Sequence, residues 1–149
     1  QEIKREPAFG TFFFRAAARP FVLACIHLVP TAKKPALEVP PLFATFKDFE
    51  QPAIIAGDYN LDSSHSSFQA ARDVSFRSAM VRVKTSLKAN AREMSKAYDN
   101  FWYRGLNLAG SPSVINLYEA FPEKEQREIY DNFSDHCPVT AKFEFPVGG

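Results

Sequence analysis

The sequence predicts an α+β domain, a mainly antiparallel sheet with helices on one face. Three observations point there. Short apolar runs of strand length alternate with turn residues; the elements run strand, helix, strand, helix and then strands; and no internal repeat, heptad or low-complexity tract interrupts the 149 residues.

Phe9 to Arg15 and Phe21 to Leu28, joined by the Ala-Ala-Ala-Arg-Pro link, form the first expected strand pair. Almost every position from Phe21 to Leu28 is apolar, which makes this a central strand covered on both faces, closed by His27. After Pro40-Pro41, the spacing of Leu42, Phe43, Phe46 and Phe49 gives a short helix one apolar face. Ala53 to Ala56 is a compact strand that stops at the turn formers Gly57-Asp58-Tyr59-Asn60. Ser67 to Asp73 reads as a brief helix, and Tyr98 to Arg104 and Val114 to Phe121 have the aromatic and β-branched content of strands. Glu123 to Asp131 reads as a charged helix after Pro122. Pro138 to Phe145 alternates apolar and polar residues, as a last strand with one wet face does.

Composition narrows the function classes. A 46% hydrophobic content builds a substantial core, and 18 basic against 17 acidic residues leave a net charge of +1. The whole molecule therefore exerts no long-range pull on nucleic acid, and any phosphate binding is local. The apolar run Phe21 to Leu28 is far shorter than the roughly 20 residues of a membrane span, so a soluble protein is expected, secreted or cytoplasmic. Cys25 and Cys137 have no zinc spacing and are too few for a disulfide scaffold, so both are expected to pack as small hydrophobes. Phe12-Phe13-Phe14 is expected in the core. Lys84, Lys88, Arg92 and Lys96 recur every four residues and would line one helix face as a basic stripe, with a solvated face the simpler reading. Gln1-Glu2-Ile3-Lys4 shows no leader pattern and reads as the middle of a longer chain.

Polar clusters stand at apolar strand ends: Ile26-His27-Leu28, Gly57-Asp58-Tyr59-Asn60, Tyr98-Asp99-Asn100 and Ser134-Asp135-His136-Cys137-Pro138. Each alone has a structural explanation as a core histidine or a common turn. Together, carboxylates, an amide and two histidines at strand ends cost desolvation energy unless they pair with one another, a metal or a substrate. Phosphodiester cleavage needs a cation on the phosphoryl oxygens, a base for water and a donor for the leaving oxygen. Oxygen ligands such as Asp58, Asn60 and Asp135 suit Mg2+ or Mn2+. His27 and His136 can divide the proton transfers, with Asp99 available to fix a tautomer.

On these residues the chain resembles the deoxyribonuclease I-like endonuclease/exonuclease/phosphatase family. Ile26-His27, Gly57-Asp58-Tyr59-Asn60, Ala97-Tyr98-Asp99 and Ser134-Asp135-His136-Cys137-Pro138-Val139 follow, in order, that family's last four motifs, and Arg5-Glu6-Pro7 resembles a segment before its first strand. The resemblance implies the C-terminal half of a four-layer α/β/β/α sandwich acting on DNA when complete. It implies His136, paired with Asp99, and His27 as the acid/base pair. Asp58 and Asn60 would contact metal and scissile phosphate, Asp135 would bind metal, and Arg5 would touch a substrate phosphate.

The family's N-terminal asparagine and glutamate metal ligand would lie in a half this sequence does not contain, so the chain alone is expected to be inactive. The segment Val81 to Leu87 lacks the acidic residue found where deoxyribonuclease I binds a structural calcium, so that ion is not carried over. Two rival readings share these residues: a lipid or inositol phosphate phosphodiesterase or phosphatase, and a non-catalytic module that associates with a companion half or with itself as a homodimer.

Overall fold

The computed structural model describes residues 3–14 and 19–147. Gln1 and Glu2, the end of the first expected strand with most of the link after it (15–18), and the last two residues lie outside them. In chain order the elements are β1 (Ala8–Phe14), β2 (Arg19–His27), α1 (Val39–Phe46), β3 (Ala53–Asp58), α2 (Gln69–Asp73), β4 (Arg77–Ser78), β5 (Leu87–Lys88), β6 (Ala91–Met94), β7 (Asp99–Arg104), β8 (Asn107–Leu108), β9 (Ser113–Val114), α3 (Leu117–Ala120), α4 (Gln126–Asn132), β10 (Val139–Thr140) and β11 (Phe143–Glu144). The main sheet has the order β1-β2-β3-β7-β4, with β2 and β3 parallel and every other neighbouring pair antiparallel. The remaining strands form three two-stranded ladders, β5 with β6, β8 with β11 and β9 with β10. This is the expected α+β class.

Strand alternation divides the sheet into two faces. On one, Val22, Ala24 and Ile26 of β2, Ala53 and Ile55 of β3 and Trp102 of β7 pack against Leu42, Phe43 and Phe46 of α1, Ala71 of α2 and Phe68 just before it, all buried. Trp102 stacks on Phe68 at 4.7 Å and meets Phe43 edge-on. Arg104 fastens the helix layer by donating to the carbonyls of Phe46, Lys47, Phe49 and Val74. α1 starts at Val39 and takes both prolines into its first turn, three residues earlier than expected; a first-turn proline lacks only an N–H that would have no partner there.

The second face is covered in part. Phe143 packs on Phe101 and Tyr103, and Phe145 on Phe14 and Phe21. A groove of about 610 Å³ runs between Phe14, Phe21, Ile54, Leu106 and Phe145. This corrects three expectations. β2 is covered fully on its helix side alone, Cys25 is exposed while Cys137 is buried, and Phe12, Phe13 and Phe14 are 48%, 72% and 55% exposed instead of core. All three residues of that triplet belong to β1, which is the edge of the sheet and has no strand on its outer side among the described residues.

Three local expectations also change. Val114 to Phe121 is not one strand: β9 ends at Val114, Asn116 accepts a hydrogen bond from the Tyr118 N–H, and that cap starts α3. The last strand is divided into β10 and β11, which pair with different partners. The lysine and arginine repeat has no helical stripe to form, because 87–94 is a hairpin; Lys88 pairs with Glu93 at 2.5 Å, and Arg92 donates to the carbonyls of Tyr118, Phe121 and Lys124.

Candidate active site

β2, β3 and β7 bring their polar ends to one edge of the main sheet. In register, His27 lies beside Asp58 on the parallel pair, and Asp58 lies beside Asp99 on the antiparallel pair. Three consecutive strands thus deliver three of the expected site residues to one line. Gly57 permits the close approach: its φ is +148°, and a Cβ there would stand 1.9 Å from the Ile26 carbonyl oxygen.

Beyond β3 the chain turns sharply. Asn60 takes a left-handed φ of 50°, its N–H donates to Asp58 Oδ1 at 2.7 Å, and its side-chain amide donates to Asp58 Oδ2 and to the Leu28 carbonyl, both at 3.1 Å. Asparagine tolerates this backbone better than most residues. Thr31, on the loop after β2, donates to the Asn60 carbonyl at 3.1 Å and shares a 2.9 Å hydrogen bond with the Tyr98 hydroxyl. The Gly-Asp-Tyr-Asn turn is therefore tied to the loops on both sides. Tyr59 itself is core, its hydroxyl donating to the Ile55 carbonyl.

His136 arrives from the segment before β10. Its Nδ1–H donates to Asp99 Oδ2 at 2.6 Å, which turns Nε2 toward Asp58 Oδ2 at 3.9 Å; His27 Nε2 reaches the same oxygen at 3.5 Å. Asp58, Asp99 and His136 place one donor atom each within 4.8 Å of one another, the group among the described residues that is able to hold a metal ion. The carboxylate and imidazole donors suit a divalent cation. Burial raises the Asp58 carboxyl pKa, with a smaller push from the neighbouring Asp99, and the Asn60 N–H and the two histidines offset that only in part. The hydrogen bond to Asp99 raises the His136 pKa against the opposing effect of burial, with a smaller contribution from Asp58.

The other two expected residues stand apart from this group. Asp135 is exposed; its carbonyl accepts from the Leu87 N–H, and its charge adds slightly to the upward shift of His136. Arg5 is exposed in the segment leading into β1. Thr31 and Thr85, which support the site by hydrogen bonds, carry no sequence motif, and only their position in the fold reveals them.

No family model matches the sequence, and no curated protein matches it. Solved structures do. An endonuclease/exonuclease/phosphatase family protein from Bacteroides thetaiotaomicron superposes with a TM-score of 0.71 at 18% identity, over 96% of this chain and 56% of that one. The human Nocturnin catalytic domain gives 0.70 at 17% identity, over 95% and 53%. A Bacteroides thetaiotaomicron mannosyl-6-phosphatase gives 0.59 at 18% identity, over 95% and 57%. At these identities the likeness is one of fold, and the fold is that of the endonuclease/exonuclease/phosphatase proteins. The chain spans little more than half the length of the structures it matches.

Proposed function

We propose that this chain is the C-terminal half of a metal-dependent hydrolase of phosphate esters, with a phosphodiester of DNA as the leading substrate. The observation that carries the reading is the Asp58 carboxylate facing two imidazoles, one of them oriented by Asp99. Asp58, with the Asn60 amide beside it, would hold Mg2+ or Mn2+; Asp135, the third ligand the resemblance implies, is exposed and stands apart from them, and would join only through its position next to His136. That ion would supply positive charge to the phosphoryl oxygens.

The residues of the chain do the remaining work. His27 and His136 share the two proton transfers of hydrolysis: one proton leaves the attacking water as its oxygen bonds to phosphorus, and one reaches the leaving oxygen as its bond to phosphorus breaks. His136 is suited to deliver a proton, because Asp99 fixes Nδ1–H and stabilises the imidazolium. Arg5 would bind a neighbouring phosphate.

A second half would complete the domain. The partly covered sheet face, with its aromatic groove, is the face a second sheet would pack on, and the solved structures of this fold are nearly twice as long. One solved structure of this fold is named a mannosyl-6-phosphatase, so a sugar, lipid or inositol phosphate is the rival substrate.

The test is a substrate panel with Mg2+, Mn2+ and chelator, comparing plasmid DNA, a phosphoinositide and a sugar monophosphate. The complete protein is expected to nick DNA in metal and to stop in chelator, while the 149-residue chain alone is expected to show little turnover. Cleavage of another ester in preference to DNA would move the substrate class. Metal-independent or absent cleavage of all three would end the reading.

A further inference from the structure

The Asp99–His136 contact joins residues 37 apart in sequence, and the segment between β4 and β6 holds them together. Thr85 is wholly buried. Its hydroxyl accepts from the N–H of Asp99 at 3.1 Å and the N–H of Tyr98 at 3.3 Å, and donates to the Lys96 carbonyl at 3.4 Å; its own N–H donates to that carbonyl at 2.7 Å. One side of Thr85 therefore fixes the start of β7.

The backbone on its other side fixes the histidine. The Cys137 N–H donates to the Thr85 carbonyl at 2.7 Å, the Leu87 N–H donates to the Asp135 carbonyl at 2.7 Å, and Ser86 forms a β-bridge with His136 between them. Residues 85–87 thus act as a splint, with the acid on one flank and the imidazole on the other. A valine at Thr85 would keep the shape while taking the hydroxyl acceptor from two part-buried N–H groups, a loss a folded chain relieves by moving the groups.

We propose that Thr85 is a positioning residue for the Asp99–His136 pair, acting through its hydroxyl on the backbone that carries Asp99. The inference rests on the reading of that pair as part of the site, and its test has a readout that does not need turnover. The imidazole protons of the histidine-labelled chain are observed by NMR at low temperature, with His136 assigned by its loss in His136→Gln. A carboxylate-bound Nδ1–H gives a resonance far downfield of an ordinary imidazole N–H.

The expected result is that the unsubstituted chain and Thr85→Ser show this resonance, and that Thr85→Val loses it or moves it upfield while the fluorescence of Trp102 reports an intact fold. In the complete protein the same valine is expected to lower kcat about 10–10²-fold with KM nearly unchanged, and serine to restore it. An unchanged resonance in folded Thr85→Val would overturn the proposal. Should valine fail to fold, Thr85→Cys, whose sulfur is a poorer acceptor, takes its place with the same two outcomes. A resonance absent from the unsubstituted chain, with Asp99→Asn changing nothing, would remove the pair itself and the proposal with it. A resonance that behaves as expected in a protein without esterase activity would leave the positioning role standing and refute the reaction instead.

Discussion

Asp99→Asn removes a carboxylate that receives a 2.6 Å hydrogen bond from His136, with the two side chains 15% and 24% exposed. Both are well under a third exposed, so solvent screening weakens the interaction little, and a hydrogen bond to a charged partner contributes about 1.5–3 kcal/mol. For a chain of this length, 1 kcal/mol moves the melting temperature by about 2–4 °C, so the substitution is expected to lower it by about 3–12 °C where His136 is charged. The pH dependence has a definite sign. The folded-state pKa of His136 is raised, so its stabilisation is fully present below the ordinary imidazole value and is lost as pH rises through the folded value. Melting curves of both proteins, followed by Trp102 fluorescence in chelator from about pH 5.5 to about pH 9, should show their widest gap at the acid end and a narrowing gap toward the alkaline end. A gap that stays constant or widens with pH would refute the assignment of the raised pKa to the Asp99 contact.

Gly57→Ala is expected to destabilise the fold by about 3 kcal/mol or more, since its Cβ would meet the Ile26 carbonyl in a backbone conformation with positive φ; a denaturant midpoint close to that of the parent would contradict this. The chain without a companion half is expected to self-associate at micromolar concentration through the face bearing Phe12, Phe14, Phe21 and Phe145. Sedimentation equilibrium reads the result: Phe14→Glu should shift the population toward monomer, and a parent chain that is already monomeric would refute the idea.

Local chemistry made part of this legible in the sequence. The turn after β3 could be read because aspartate and asparagine favour such turns, and the structure uses Asp58 as the acceptor and Asn60 at positive φ; the strand itself runs two residues further than expected, through Gly57 and Asp58. The apolar spacing of Leu42, Phe43 and Phe46 gave the helix face, and the apolar run of β2 gave an interior strand of the sheet, though one covered fully on its helix side alone. What failed depended on distant partners in two cases and on a local cap in the third. The exposure of Phe12 to Phe14 follows from what covers the sheet, the α3 turn from the Asn116 cap overriding β-branched neighbours, and the hairpin at Lys88 to Arg92 from tertiary contacts to the Tyr118 region. In the site, His27, Asp58 and Asp99 stood out as polar ends of apolar strands, whereas the pairing of Asp99 with His136 came from family resemblance. Thr85 was hidden, because a buried threonine has no motif and acts through backbone groups.

The most direct test of the central claim is the metal-dependent rate of ester hydrolysis by the complete protein carrying Asp58→Ala or His136→Ala, with folding checked by circular dichroism. Removing one of a pair of acid/base groups, or the carboxylate that faces them, is expected to lower turnover by about 10²–10⁴-fold in each case. Near-normal rates in both folded variants would contradict the account.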